Sequence, residues 1–303
     1  MRNNEPRNAQ KEDKNQIVGG VLYLVATPIG NLSDISERAL KVLSEVDIVA
    51  AEDTRNTGKL LSYFGISKPM ISYFEHNKRE RGEAILEKLK DGQSCALVTD
   101  AGTPAISDPG EDLVRLCAEN NVPVTSVPGC CAVINALALS ALPTGRFCFE
   151  GFLSTNKNER NERLNEIKND TRTTIFYEAP HKLIKTLGDI YEAFGNRKIS
   201  LCRELTKLNE EIMRTTLEGA IEYYTTSSPR GEYVLVVEGC TQKSEGEQFW
   251  SNMSIEEHVE FYVNQGMKKM DAIKSVAKDR SLPKNEVYKI VNKINCQAKC
   301  NRN

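Results

Sequence analysis

Five short segments of this 303-residue chain concentrate the side chains able to do chemistry: TPIGNLSDIS (27–36), AEDTRNTG (51–58), TDAGTPAISDPG (99–110), VPGCCA (127–132) and FYEAPHK (176–182). Each follows an apolar run of strand type and joins glycine or proline to acids, hydroxyls or thiols. The third is the most restricted, with glycines at 102 and 110, prolines at 104 and 109 and aspartates at 100 and 108, where a simple turn needs one such residue. Taken singly, each segment reads as turn chemistry or as a cap on the next helix. Together they describe a surface. No GxGxxG, GxxxxGK[S/T] or HExxH occurs, so the anchors of dinucleotide, P-loop and zincin sites are missing and a nucleoside triphosphate is disfavoured. What is left is a set of Gly/Pro loops presenting backbone donors and acceptors, with acids nearby, to a neutral or cationic ligand.

The elements that must position these loops follow from periodicity. From Val21 onward, short β-type runs LYLVA (22–26), DIVAA (47–51), MISYF (70–74), CALVT (95–99) and VTSV (124–127) alternate with amphipathic stretches such as ISERALKVLSEV and GEAILEKLKDG, which predicts a parallel α/β domain. Ligands of such sheets bind at the carboxyl ends of the strands, where the five loops fall. After LPTG (142–145), a second series, FCFEGF, TTIFYEA, ISLCREL and YVLVVEG, predicts more strands, with helices over 158–168 and 182–194. Beyond a polar stretch, CTQKSEGEQ, three helical segments span 254–294. Ser254 and Glu257 form a capping box, Gly266 a stop, Met270, Ile273 and Ala277 an apolar stripe, and Pro283 an opening residue. The expected fold class is α/β, with two tandem α/β domains and a small C-terminal three-helix module. The expected division is 1–20 disordered N-terminal tail, 21–142 N-terminal α/β domain, 143–240 C-terminal α/β domain and 250–296 small helical module.

Composition narrows the class. With 40% hydrophobic and 27% charged residues the chain can bury a large core, and its formal net charge of -2 gives no global field to hold a polyanion, so any such site must be a local basic patch. Nine cysteines, an odd number mostly inside apolar runs and without paired CxxC spacing, argue for reduced thiols in a cytosolic protein and against a disulfide framework or a metal site; Cys296 and Cys300 read as incidental. The first twenty residues mix charges without an apolar core, as neither signal peptide nor anchor would, and no later apolar run reaches spanning length. The expected location is cytoplasmic, with no membrane partner.

VATPIGNLSDISERAL, AAEDTRNTGKLL, VTDAGTPAISDPG, PGCCAVINAL, FYEAPHKL and RELTK occur in the order and context of the ribosomal RNA small-subunit methyltransferase I family, which this chain resembles from about residue 21 to 239. Those are cytidine 2′-O-methyltransferases within the tetrapyrrole methylase superfamily. The resemblance implies an S-adenosylmethionine cofactor bound between two α/β domains, a homodimer, and methylation of the ribose of one cytidine in the decoding region of 16S rRNA within the small ribosomal subunit. It places Asp100, Ala101, Gly102, Thr103 and Pro104 against the methionine and ribose parts of the cofactor, with Pro28 at the end of the first strand. A sulfonium and an α-amino group suit a carboxylate and backbone carbonyls better than a phosphate cradle. Tyr177 is expected to flank the adenine and Ala132 to line the same cleft, although core packing would explain both; Asp108 reads better as a helix cap. The chain departs from the family's PGPCA at Cys130, which restores an N–H and frees a torsion in the turn. Cys131 matches the family's own cysteine and reads as packing, not as a nucleophile.

Methyl transfer to a ribose hydroxyl requires in-line positioning and a place for the proton. The candidates lie in AEDTR: Glu52 or Asp53 as base or hydroxyl-orienting acceptor, and Arg55 as a phosphate or oxyanion partner, with a local Asp–Arg ion pair as the simpler reading. Glu178, Arg203, Glu204, Lys207, His181 and His76 are secondary. For RNA contact, Lys78, Arg79 and Arg81 stand first, then Lys157, Arg160 and Arg163, and the terminal Lys284, Lys289 and Lys293, each of which would otherwise be a solvated helix face. Two other functions fit: a superfamily methyltransferase acting on a tetrapyrrole or other small substrate, or a non-enzymatic ribosome-assembly factor.

Overall fold

The computed structural model describes residues 16–241, 250, 253–280 and 282–291; Lys293, Cys296, Cys300 and residues 1–15 of the expected tail lie outside the described residues. Two compact units, 1–240 and 241–303, are described in turn.

In the first unit, β1 (Leu22–Val25), β2 (Ile48–Ala51), β3 (Met70–Ser72), β4 (Cys95–Val98) and β5 (Val124–Val127) form a sheet in the order β3-β2-β4-β1-β5, every pair parallel. Parallel strands need crossovers that cover both faces, which is why β1, β2 and β4 read as nearly unbroken apolar runs. On one face Leu22, Ala50 and Leu97 pack with Ile85, Leu86 and Leu89 of α3 (Lys78–Lys90) and Leu113 of α4 (Gly110–Glu119). On the other, Val25, Val49, Ala96 and Val98 meet Val42 and Leu43 of α1 (Glu37–Glu45) and Leu61 of α2 (Thr54–Tyr63). Within the stretch expected to be tail, Gly20 donates to Gln93 O at 3.0 Å and Val18 N to the Tyr23 hydroxyl at 2.8 Å. The ordered chain therefore begins before Val21, because glycines at 19 and 20 let it run close along the turn after α3.

Chain direction makes the site. From β1 the chain crosses toward β2, whereas from β4 it crosses past β1 to β5, so the loops after the neighbouring strands β1 and β4 diverge and leave a crevice at the carboxyl edge.

The second half carries β6 (Phe147–Phe152), β7 (Thr173–Glu178), β8 (Lys198–Arg203), β9 (Glu211–Thr216) and β10 (Tyr233–Val237) in the order β6-β7-β10-β8-β9; β6 and β7 are parallel and the rest antiparallel. Phe176, Leu201 and Leu235 face α6 (Lys157–Ile167), α7 (Leu183–Phe194) and α8 (Leu217–Thr226). The opposite face, Ile175, Cys202, Val234 and Val236, is covered by Val133, Ala136 and Leu137 of α5 (Ala132–Leu139). The helix that closes the first sheet thus packs on the second. Neither β9 nor α8 was predicted: EIMRTT is an edge strand with a half-buried polar pattern, and Thr216 both ends it and caps α8 by accepting from Gly219 N at 3.2 Å.

In the second unit, α9 (Ile255–Asn264) opens with the predicted Ser254–Glu257 capping box and stops at Gly266, whose φ is 91°. α10 (Lys269–Asp279) buries Ala272, Ile273, Val276 and Ala277, and a helix over 284–291 follows Pro283. Met270 is 46% exposed, so it does not belong to the predicted stripe; the inward face starts two residues later. Tyr262 donates to Asp279 at 2.7 Å and Arg280 to Met253 O at 2.6 Å, tying α9 to α10. No described helix is long and apolar enough to cross a membrane.

Candidate active site

The crevice is built by two loops hydrogen-bonded to each other. Thr27 N donates to Gly102 O at 2.9 Å and Gly102 N to Thr27 O at 3.0 Å, which joins TPIG to DAGTP. Gly102 has φ 87°, a conformation that disfavours a side chain, and Thr103 Oγ1 donates to Cys130 O at 2.9 Å, tying in the third loop. The Asp108 carboxylate accepts from Ala105 N at 2.9 Å, Ile106 N at 3.3 Å and Gly110 N at 2.8 Å. Asp108 stands one residue before Pro109, the N-cap of α4, and takes the helix's first N–H from there, so its contact with the helix start is made from outside the cap position; the same carboxylate holds Ala105 and Ser107 at φ 68° and 63°. The 205–207 segment of the second half comes against Gly30 so closely that a Cβ on that glycine would stand 2.3 Å from the Lys207 Cγ and 3.2 Å from Leu205 O. Glu204 and Thr206 in that segment also have positive φ, 51° and 66°.

Between these walls lies a cavity of about 270 Å³, lined from the first half by Ala101, Gly102, Thr103, Cys131 and Ala132 and from the second by Phe152, Tyr177, Leu205 and Val234, among others. Of its ionisable lining, the carboxylates of Glu178, Glu204 and Glu232 outnumber the single ammonium of Lys207. Lys207 donates to Glu204 at 2.8 Å and to Glu232 at 2.9 Å, and that hydrogen bond holds the Glu204 carboxyl below its ordinary range. Glu178 is buried and accepts from Ala179 N at 2.8 Å and Thr186 Oγ1 at 2.5 Å, so it fixes the loop after β7. Burial pushes the Tyr177 phenol up to about 12, so it remains a neutral ring, with Phe149 at 4.9 Å and Phe152 at 5.4 Å between centroids.

A second cavity of about 190 Å³ is bounded by Pro28, Gly30, Asn56, Thr57, Thr99 and Asp100. Ala101, Gly102, Thr103, Ala132 and Tyr177 thus come together in the larger cavity and Pro28 and Asp100 in the smaller, while Pro104 is buried beneath the loop and lines neither. Glu52 lines neither cavity but accepts at 2.9 Å from the Oγ1 of Thr99, which bounds the smaller one. Asp53 caps α2 and receives Arg55 Nε at 3.1 Å and Nη2 at 2.8 Å; the hydrogen bonds from the Arg55 side chain and backbone lower its carboxyl to about 2. The Arg55 side chain is 85% exposed.

Lys78, Arg79 and Arg81 lie in the first turn of α3, but Lys78 is engaged by Glu75 and Asp112, both at 2.7 Å, which raises its pKa, Asp112 most. Arg79 and Arg81 are exposed. The second expected patch does not form. Arg160 is 3% exposed, paired with Asp189 of α7 at 2.6 Å and donating to Ser154 O at 2.9 Å; it lies on the buried face of α6 with Leu164 and Ile167. Arg163 is held by Glu150 and Glu166, each at 2.8 Å. His76 and His181 are exposed and line neither cavity, and Arg203 pairs with Glu211 at 2.9 Å. Ile106, Phe152 and Glu232 line the larger cavity without having been singled out from sequence; the FCFEGF glycine was the available signal for Phe152. Among the described residues no cluster of His, Cys, Asp or Glu has metal-holding geometry, and the seven described cysteines are free thiols.

The family model of the tetrapyrrole (corrin/porphyrin) methylases matches residues 21–221. The chain belongs to that family. It is 47% identical, over 93% of its length and 96% of the relative's, to the protein named ribosomal RNA small subunit methyltransferase I in Halalkalibacterium halodurans. It is therefore a methyltransferase. Among solved structures, the methyltransferase CobJ covers 75% of this chain and 97% of its own at TM-score 0.55 and 17% identity. The uroporphyrin-III C-methyl transferase of Thermus thermophilus, complexed with S-adenosyl homocysteine, covers 72% and 96% at TM-score 0.50 and 16% identity. These two establish the fold that the sequence resemblance implied.

Proposed function

We propose that this methyltransferase transfers a methyl group from S-adenosylmethionine to the ribose 2′-oxygen of a cytidine in the decoding region of the small-subunit ribosomal RNA. The observation that carries the reading is the near full-length 47% identity to a protein named for that RNA, together with a cavity built from the motifs of the resemblance. The cavity fits the cofactor on chemical grounds. Three carboxylates against one ammonium favour a cationic ligand, the Tyr177 ring offers a face to adenine, and Gly102 lets backbone approach closely. Gly102, Thr103, Ala132 and Tyr177 would hold it, with Pro28 and Asp100 from the adjoining cavity. When bound, S-adenosylmethionine supplies an electrophilic methyl group on a sulfonium.

The chain's own task is to bring the ribose hydroxyl in line and to take its proton. Asp53, held ionised by Arg55, is a poor proton acceptor and serves α2 as a cap. Glu52 stands behind the smaller cavity, accepting from Thr99, which bounds it, and is the better placed carboxylate; the exposed Arg55 guanidinium, which donates to Asp53 through Nε and Nη2, is the cation offered to a phosphate. Arg79 and Arg81 supply further phosphate contacts; Lys78 does so less, being held by two acids. The working form is a cytoplasmic homodimer acting on the small ribosomal subunit, as the resemblance implies.

The test is transfer of labelled methyl to unmethylated 30S subunits, free 16S RNA and a tetrapyrrole precursor, with mapping of the modified ribose. Label on a 16S cytidine ribose supports the reading. Label on the macrocycle alone replaces the substrate, and bound cofactor without transfer replaces the enzyme by a binding factor.

A further inference from the structure

Strand β6 ends in an irregularity that places one aromatic ring at the cavity mouth. Its register on β7 runs Phe147 to Thr173, Cys148 to Thr174 and Phe149 to Ile175, then skips Glu150, so that Gly151 faces Phe176 and Phe152 faces Tyr177. Glu150 is the extra residue of a β-bulge, and Gly151, at φ 65°, takes the left-handed conformation such bulges use. The insertion shifts the strand's parity. Without it, Gly151 would stand opposite Tyr177 and Phe152 would fall on the other face. With it, Phe149 and Phe152 share a face and flank Tyr177 at 4.9 and 5.4 Å. Glu150 is clamped by Arg163 with two hydrogen bonds of 2.8 and 3.1 Å.

The result is an expensive exposure. Phe152 lines the larger cavity yet remains 62% exposed, whereas Tyr177 beside it is half-buried and Tyr233 is 2% exposed. Ile106, 46% exposed, lines the same cavity from the loop that Asp108 holds with two left-handed residues. The two loops touch, since a Cβ on Gly151 would come within 3.1 Å of Ser107 Oγ. A strained loop and a bulged strand therefore both present apolar side chains at one opening.

We propose that Phe152, together with Ile106, is the platform on which the unstacked base of the target nucleotide sits. The proposal rests on the ribose-methylation reading above. A reacting 2′-oxygen belongs to the ribose carbon next to the one bearing the base, so a ribose brought to the cavity necessarily sets its base against the cavity rim. A base taken out of its stack is held by aromatic faces, and such stacking tolerates any base. The platform thus positions the nucleotide, while its identity is read elsewhere.

Phe152→Ala, Phe152→Leu and Phe152→Trp are compared with the wild type in steady-state methylation of unmethylated 30S subunits, alongside calorimetric binding of S-adenosylhomocysteine. The Ala variant is expected to raise KM for the subunit roughly 5- to 150-fold, the equivalent of about 1–3 kcal/mol for one stacked base, with kcat largely preserved and S-adenosylhomocysteine affinity unchanged. Leu recovers little of the loss and Trp most of it, a difference that mere filling of space would not produce. An unchanged KM in active Ala protein overturns the platform. Loss of S-adenosylhomocysteine affinity in parallel with KM also overturns it, by assigning the ring to the cofactor. If the wild type itself transfers no methyl to RNA, the functional reading fails and the platform falls with it.

Discussion

Replacing Asp108 by alanine should damage the cofactor wall more than its half-buried position suggests. The carboxylate is the shared acceptor for three backbone donors, two of them at 2.8 and 2.9 Å, and one of these belongs to the buried Gly110 that begins α4. Orphaning a buried donor costs about 1–3 kcal/mol, and hydrogen bonds to a charged partner contribute about 1.5–3 kcal/mol each before non-additivity is considered. Part of that loss is relieved, because Ala105 and Ser107, at φ 68° and 63°, can leave a conformation that costs roughly 1–2 kcal/mol per residue. A net loss of about 2–4 kcal/mol is expected, which for a unit of this size lowers Tm by roughly 5–15 °C. The relaxed loop must be re-ordered when ligand binds, so S-adenosylhomocysteine affinity should fall roughly tenfold or more. Asp108→Asn keeps an oxygen for Ala105 and Gly110 and should recover most of both losses. Thermal denaturation and calorimetry on the three proteins measure the effect. A Tm and affinity of Asp108→Ala indistinguishable from wild type would refute the idea that this carboxylate holds the loop.

The joint change Arg79→Glu and Arg81→Glu should weaken RNA binding and flatten its salt dependence without altering cofactor affinity, as filter binding across a salt series would reveal; an unchanged slope removes α3 from the RNA surface. Arg160→Met, by contrast, should cost about 1–3 kcal/mol through the partly buried Asp189 left unpaired and leave the RNA affinity of the folded protein intact. A depressed carboxyl stabilises above its usual range and loses that contribution as pH falls through the folded value, so the Asp53–Arg55 contact, with Asp53 at about 2, should persist until well below pH 4. Any acid limb of methyl transfer between roughly pH 5 and 7 should therefore survive Asp53→Asn, and its disappearance in that variant would make Asp53 the base after all.

Much of this was legible because local chemistry and tertiary role coincide. LYLV, IVAA and CALV are apolar on both faces because a parallel sheet is covered on both, and the glycines and prolines that follow them fall where the crevice opens. EIMRTT escaped notice since an edge strand buries only part of one face and keeps polar residues. Met270 fits the helical spacing of its neighbours, yet the face of α10 that is buried runs through Ala272, Ile273, Val276 and Ala277 and leaves it outside. Arg160 and Arg163 read as a basic surface because charge is visible in a sequence and the partners at Asp189 and Glu150 are not.

Periodicity and residue type thus carry the α/β architecture, the order of its motifs and the families to which they correspond, since these follow from local backbone preference and from which side chains water excludes. The pairing of charges, the union of the first, third, fourth and fifth loops around one cavity, and the face to which Phe152 turns depend on contacts between residues far apart in the chain. A single extra residue in β6 reverses that face, and only the register against β7 reveals which residue is extra.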